Sequence, residues 1–380
     1  MPQGLHRRIG QLAIVGFEGF AIPPELVSLA REFDLAGILL FKRNVESPEQ
    51  VAEVALRAKE LARELPLWVS VDQEGGRVAR LRAPLTEWPP VSTLGRAGRD
   101  DLAARFARAL ALELAVVGFS LDFAPVLDVL TSSRNPAIGD RAIADESETV
   151  GRLGAVIARE LQGRGIAACG KHFPGHGDTT VDSHLELPVV EHSPDRFRAI
   201  DFPPFRAAIE ADIAGIMVGH LLVPAYDEQR PATLSPAIVE GILRQELRFD
   251  GLVFTDDMDM KAISAHHTPE RAAVGAIAAS CDTLLMCGTD ISRHAAALEA
   301  LVRAVEREEL PYKRVEDALA RQHRAKGRFV SMKPWVDDVS GRTIIPPLRP
   351  EWRPLPPSVL REIVGRDEHQ SVADEMKDYL

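Results

Sequence analysis

The sequence predicts an α/β protein built as a (β/α)8 TIM-type barrel, on three observations. Short, nearly continuous apolar runs alternate with longer stretches of helical periodicity, as strands buried on both faces of a parallel sheet do. The alternation completes eight times before about residue 330. Polar residues gather directly after several of the runs, where the C-terminal ends of barrel strands carry chemistry. A doubly wound open sheet is the competing architecture.

QLAIVGF at 11–17 reads as the first strand, and PPELVSLAREF at 23–33 as a helix opened by prolines. AGILLFK at 36–42 is the second strand. A helix follows over 47–65, with Ser47 as N-cap and Glu49 and Gln50 in its first turn. LWVSVD at 67–72 is the third strand, and the helix over 101–118 ends at Gly118. SLDFAPV at 120–126 is a strand and 147–165 a helix. The later strands are 166–173, 214–220, 251–257 and 283–288, with helices between them and two more at about 291–310 and 315–328. The chain therefore divides into a barrel over 1–330 and a C-terminal extension over 331–380. The extension is proline-rich over 344–360, which favours extended or polyproline II conformation, and polar over 361–380, where a short helix or a frayed end is expected. It reads as a strap along the barrel or as disorder.

Composition narrows the function. The chain has 380 residues, 46% hydrophobic and 27% charged, with a formal net charge of -11. This is ordinary globular material with no basic stripe, so nucleic acid is not an expected partner, nor is a membrane. The three cysteines, Cys169, Cys281 and Cys287, form no CxxC pair and no disulfide framework. The basic N-terminus runs into an apolar stretch broken by Glu18, which disfavours a signal peptide and predicts a cytoplasmic protein.

The polar clusters after the strands are Lys42-Arg43-Asn44, Asp72-Gln73-Glu74, Lys171-His172, His220 and Asp256-Asp257. The densest stretch is KHFPGHGDTTVDSH, Lys171 to His184. His172 and His176 are four apart, as in a zinc-binding helix, but Pro174, Gly175 and Gly177 rule out a helix there, so a catalytic metal is not expected. No GxxxxGK[ST] pattern supports a phosphate cradle. Asp182 and His184 flank Ser183, and in extended backbone an i,i+2 pair points to one side. A carboxylate beside an imidazole fixes its tautomer and supports proton transfer, although Asp-x-His is also a common surface pattern. Asp256 stands at a strand tip, where a carboxylate binds a cation, caps a helix or acts as a nucleophile. Asp257 and Asp259 read as helix-capping and solvated residues. Asp72, Glu74, Arg77 and Arg80 surround a Gly-Gly turn, and Arg134, Asp140 and Arg141 share a loop. These arginines serve either to pair nearby acids or to grip a polyhydroxylated ligand.

GILLFKRN (37–44), VDQEGGRV (71–78), FAPVLDV (123–129), KHFPGHGDTTVDSH (171–184) and FTDDMDMKAI (254–263) occur in this order. Together they resemble glycoside hydrolase family 3, in its bacterial β-N-acetylglucosaminidase branch, over roughly residues 8–330. The resemblance implies a retaining, exo-acting β-N-acetylglucosaminidase that needs no cofactor and acts on small carbohydrates, peptidoglycan-derived muropeptides of cell-wall recycling among them. It implies Asp256 as nucleophile, His184 as general acid/base paired with Asp182, and Asp72, Arg80, Arg141, Lys171 and His172 as contacts to the terminal sugar. Retaining hydrolysis ordinarily uses two carboxylates. A histidine in place of one leaves neutral imidazole after proton donation and repels an incoming anion less. A phosphorylase working through the same site is therefore the alternative.

Overall fold

A computed structural model describes residues 4–179 and 186–380. Eight parallel strands close into a barrel in chain order. They are β1 Ala13–Val15, β2 Gly37–Leu39, β3 Trp68–Val71, β4 Leu121–Asp122, β5 Ala167–Phe173, β6 Gly215–Val218, β7 Leu252–Asp257 and β8 Thr283–Met286. β8 pairs with β1 in the register Ile14 to Leu285, which completes the ring. The open-sheet alternative is thereby excluded.

Each strand lies within one of the predicted apolar runs, and its alternate residues build two cores. Ile14, Leu39, Trp68, Leu121, Cys169, Met217, Phe254 and Leu285 fill the barrel interior. Their strand neighbours Val15, Ile38, Val69, Ile216 and Val253 face the surrounding helices. β4 is shorter than its predicted run because Pro125 has no N–H to give to the ladder, and only an isolated bridge from Val126 to Lys171 continues it.

The helices start and stop for legible local reasons. Pro48–Leu61 opens on Ser47, whose hydroxyl accepts from the Gln50 N–H. Asp100–Val116 closes at Gly118, whose φ of +94° lets the Phe119 N–H reach back to the Leu114 carbonyl at 3.0 Å. Ile291–Glu306 and Tyr312–Val330 are the two expected after β8. The second plugs the N-terminal mouth of the barrel. Its Gln322 accepts from Trp68 Nε1 at 3.1 Å, and its buried Lys326 donates to Gln11 and to the Ala36 carbonyl.

Residues 331–380 lie across the outside of the barrel. A two-stranded antiparallel pair, Trp335–Val336 with Thr343–Ile344, is followed by a proline-rich stretch that turns at 347–351 and by helices Pro357–Ile363 and Asp367–Lys377. Trp352 is buried against Gly118 and donates from Nε1 to the Ala115 carbonyl at 3.0 Å. No helix among the described residues is long and apolar enough to cross a membrane.

Candidate active site

The strand ends converge on a cavity of about 280 Å³ at the C-terminal mouth of the barrel. Its lining includes Asp72, Arg80, Arg141, Lys171, His172 and Asp256, residues far apart in sequence. The barrel brings them together because each follows or ends a strand, or sits on a loop leaving one. The volume falls just below the ~300–1,000 Å³ of ordinary small-ligand pockets, which suits a single ring.

The centre of the constellation is Lys171. Its ammonium is 2.7 Å from Asp72 Oδ1 and 2.6 Å from Glu74 Oε1, and the side chain is almost wholly buried. Arg141 grips Glu74 from the other side through two parallel bonds of 2.9 and 2.8 Å. Arg80 reaches Asp72 Oδ2 at 3.4 Å. Burial alone would push Glu74 up, but the Arg141 guanidinium and Lys171 ammonium hold its carboxyl well below the usual range. Burial is likewise outweighed at Asp72 by Lys171 and Arg80, which keep it low. Lys171 stays protonated for the reciprocal reason: burial lowers its pKa, and Asp72 and Glu74 more than restore it. Asp72 and Glu74 thus hold three cations, Lys171, Arg141 and Arg80, at the wall of the cavity that Asp256 also lines.

Lys171 and His172 both line the cavity although neighbouring strand residues ordinarily alternate. The ladder from β5 to β6 shifts register between Gly170 and Phe173, and the Lys171–His172 peptide is cis. His172 is oriented by Asp128, which is wholly buried and sits 2.7 Å from Nδ1. Nδ1–H donating to that carboxylate leaves Nε2 facing the cavity, 3.5 Å from Arg141 Nη2. Asp128 also accepts from the backbone N–H groups of His172 and His176. His176 lies beside His172, with ring centroids 5.8 Å apart. Burial pushes its pKa down to about 4, Thr179 Oγ1 lies 2.6 Å from Nδ1, and its carbonyl accepts from Asn135. It lines the cavity. Gly175 adopts a φ of +135°, and a Cβ on Gly177 would lie 1.7 Å from the Val129 carbonyl oxygen, so the PGHG turn depends on both glycines.

Asp256 is the penultimate residue of β7 and accepts the Asp257 N–H on Oδ1 at 2.8 Å. Lys171 donates to Asp72 and pairs with Glu74, and Arg141 donates to Glu74, on the wall of the same cavity. Asp182 and His184 lie outside the described residues.

Asp257 and Asp259 correct the sequence reading. The short helix Lys261–Ser264 has Met260 at its N-cap and no side-chain cap. Asp257 Oδ1 accepts instead from the N–H groups of Asp259 and Cys287, both at 3.0 Å, and Asp259 Oδ2 accepts from Gly288 N–H at 2.9 Å. The two carboxylates tie the β7 loop to the end of β8. Arg43 and Asn44 do similar work after β2, donating to the carbonyls of Phe17, Cys287 and Gly19. Arg77 holds the loop that carries Arg141 through the carbonyls of Ala137 and Ile138, and Arg134 is exposed. Asp128 has no role in the sequence reading, and Glu74 enters it only as an acid that a nearby arginine could pair, which Arg141 does. The signal for each was a carboxylate shortly after an apolar run. Among the described residues no group of three or more His, Cys, Asp and Glu side chains is placed to hold a metal ion.

Burial raises the Asp257 carboxyl to about 6. Between its ordinary value and about 6 the folded protein holds a proton that the unfolded chain has lost, so stability contributed here falls as pH rises through that window. An Asp257→Asn variant keeps Oδ1 for both N–H groups and removes the penalty. Relative to the parent it is expected to gain on the order of 1–3 kcal/mol between pH 4 and pH 8. Denaturation midpoints at the two pH values check this; equal differences at both would contradict it.

Comparison with known proteins places this architecture. The family model described as "Glycosyl hydrolase family 3 N terminal domain" matches residues 4–325. Beta-hexosaminidase A of Pseudoalteromonas piscicida is 34% identical over 333 residues, which cover 81% of this chain and 56% of that protein. The chain thus spans little more than half of that relative. A beta-hexosaminidase of Methylococcus capsulatus is 39% identical over 287 residues, 74% of this chain and 84% of that protein. Among solved structures, a glycoside hydrolase family 3 β-N-acetylglucosaminidase from Paenibacillus sp. str. FPU-7 superposes with a TM-score of 0.87 at 36% identity, covering 99% of this chain and 68% of that one. The β-N-acetylhexosaminidase of Beutenbergia cavernae gives a TM-score of 0.80 at 29% identity, with 85% and 98% covered.

Proposed function

We propose that this chain, which belongs to glycosyl hydrolase family 3, removes a terminal N-acetylhexosamine residue from a β-glycoside through a covalent intermediate on Asp256. The observation that carries the reading is the single-ring cavity itself. Asp256 lines it together with Asp72, Arg80, Arg141, Lys171 and His172. The relatives named as hexosaminidases, of which this chain covers 84% and 98%, support the N-acetylated sugar.

In this reading Asp72 accepts from sugar hydroxyls while Lys171 and Arg80 donate around it. Their mutual ion pairs fix them before the sugar arrives, so little reorganisation accompanies binding. The Asp256 carboxylate attacks the anomeric carbon as its bond to the leaving oxygen breaks. His184, held by Asp182, gives that oxygen its proton. In the second half His184 takes a proton from water, the water oxygen attacks the anomeric carbon, and Asp256 leaves as carboxylate. The sugar emerges with its configuration retained. Muropeptide fragments met in the cytoplasm during cell-wall recycling are the substrates that the motifs' resemblance implies.

Paired substrates test this. The parent enzyme is expected to release N-acetylglucosamine from both an activated aryl glycoside and an unactivated disaccharide, and to ignore the corresponding glucosides. His184→Ala is expected to lose far more on the disaccharide than on the aryl glycoside, because only the poor leaving group needs the proton. Equal losses on both would remove His184 as acid. Turnover that requires added phosphate and yields a sugar 1-phosphate would select the phosphorylase instead.

A further inference from the structure

We propose that Glu113, clamped by the C-terminal segment 365–369, is a positioning residue for the sugar-binding loop; the inference rests on the reading of the cavity as a glycoside site. Glu113 is a carboxylate 1% exposed on the helix Asp100–Val116, whose other buried residues are apolar. A buried charge of this kind needs partners. Its partners come from two distant segments. Thr86 donates from Oγ1 to Oε1 at 2.8 Å and from its N–H to Oε2 at 3.0 Å. Gly365 N–H donates to Oε1 at 2.7 Å, and His369 Nδ1 lies 2.9 Å from the same oxygen.

The two segments also touch each other. Gly365 has a φ of +63°, and a Cβ there would fall 2.0 Å from the Pro84 carbonyl oxygen, so no other residue fits. The Trp88 ring packs edge-on to Phe106 at 5.1 Å and lies 6.5 Å from the His369 ring. The stretch 84–90 is therefore fixed from below by Glu113 and the tail.

On its other side this stretch is the platform for the Gly75–Gly76 turn. The Trp88 carbonyl accepts from Gly76 N–H at 2.8 Å, and a Cβ on Gly75 would meet the Pro89 carbonyl at 2.7 Å. That turn separates Glu74, which holds Lys171 and Arg141, from Arg77, which holds the loop bearing Arg141. Past the turn, Gln73 Oε1 accepts from the N–H groups of Arg80 and Leu81, setting Arg80 toward Asp72. A continuous series of short contacts thus runs from the tail through Glu113 and Thr86 to the sugar contacts. Asp256 stands on β7, outside this series. Loosening it moves ground-state and transition-state sugar contacts alike and leaves the nucleophile in place, which is the signature of a KM effect.

The test combines steady-state kinetics on an aryl N-acetyl-β-glucosaminide with hydrogen exchange in the full chain. Glu113→Ala is expected to raise KM about tenfold, with kcat held within about twofold. Glu113→Gln keeps the Oε1 acceptor but sets its NH2 against the Thr86 N–H, so it should lie between. Exchange should quicken in peptides covering 72–90 and 365–369 and stay unchanged in β6 and β7. If Glu113→Ala does not fold, His369→Ala, which removes one bond, is read in the same way with a smaller rise. Unchanged KM, or exchange that quickens uniformly over the barrel, would overturn the positioning role. A parent enzyme without turnover on any N-acetylhexosaminide would instead overturn the functional reading, while the exchange pattern would still decide the clamp.

Discussion

Replacing Asp256 with asparagine is expected to leave the fold intact and to lower kcat/KM by about 10⁴-fold or more, the scale on which enzymes respond to loss of a nucleophile. Asparagine keeps an oxygen for the Asp257 N–H, which now donates to Asp256 Oδ1 at 2.8 Å, so the strand end should not move. What it removes is the electron pair that forms the glycosyl-enzyme bond. Circular dichroism and a denaturation midpoint unchanged from the parent, beside residual turnover only, is the expected pair of results. A variant retaining a tenth or more of parental kcat/KM would show that another group attacks the sugar.

Exchanging Glu74 for alanine is expected to cost about 3–5 kcal/mol of stability, the range for removing one partner of a buried ion pair. Glu74 is the shared acceptor of Lys171 and Arg141; Glu74 and Lys171 are almost wholly buried, and Arg141 is partly buried at the cavity wall. Alanine leaves Arg141 without its two-bonded carboxylate, and the Lys171 ammonium with Asp72 as its remaining acid partner. Binding should weaken as well, because Arg141 and Lys171 line the cavity. Glu74→Gln preserves shape and loses the charge, so it should fall between parent and alanine. Urea midpoints at constant m-value measure this. An alanine variant as stable as the parent would mean that the cations find other partners.

The barrel was legible in the sequence because parallel strands buried on both faces leave unbroken apolar runs such as AGILLF and TLLM. The placement of Asp72, Lys171, His172 and Asp256 was legible for the same reason: each stands beside a strand's C-terminal end. What the chain did not disclose was pairing. Arg141 bonds a glutamate 67 positions away, and nothing local separates that use from contact with a sugar. Asp128 finds His172 at a separation of 44 residues. Asp257 and Asp259 looked like caps because a helix follows them, yet their carboxylates turn to the end of β8, 30 and 29 residues on. The tail's docking depends on Glu113 meeting His369 across 256 residues, beyond the reach of any periodicity argument. The expected dyad, Asp182 and His184, lies outside the described residues.

Covalent trapping tests the central claim most directly. A fluorinated N-acetylglucosaminide that forms the glycosyl-enzyme faster than water releases it should inactivate the protein with one sugar bound per chain. Proteolysis and mass spectrometry should then find the added mass on the peptide that contains Asp256, and the Asp256→Asn variant should take up no label. Label on Asp72, Glu74 or Asp257, or turnover that inverts the anomeric configuration without any adduct, would contradict the account.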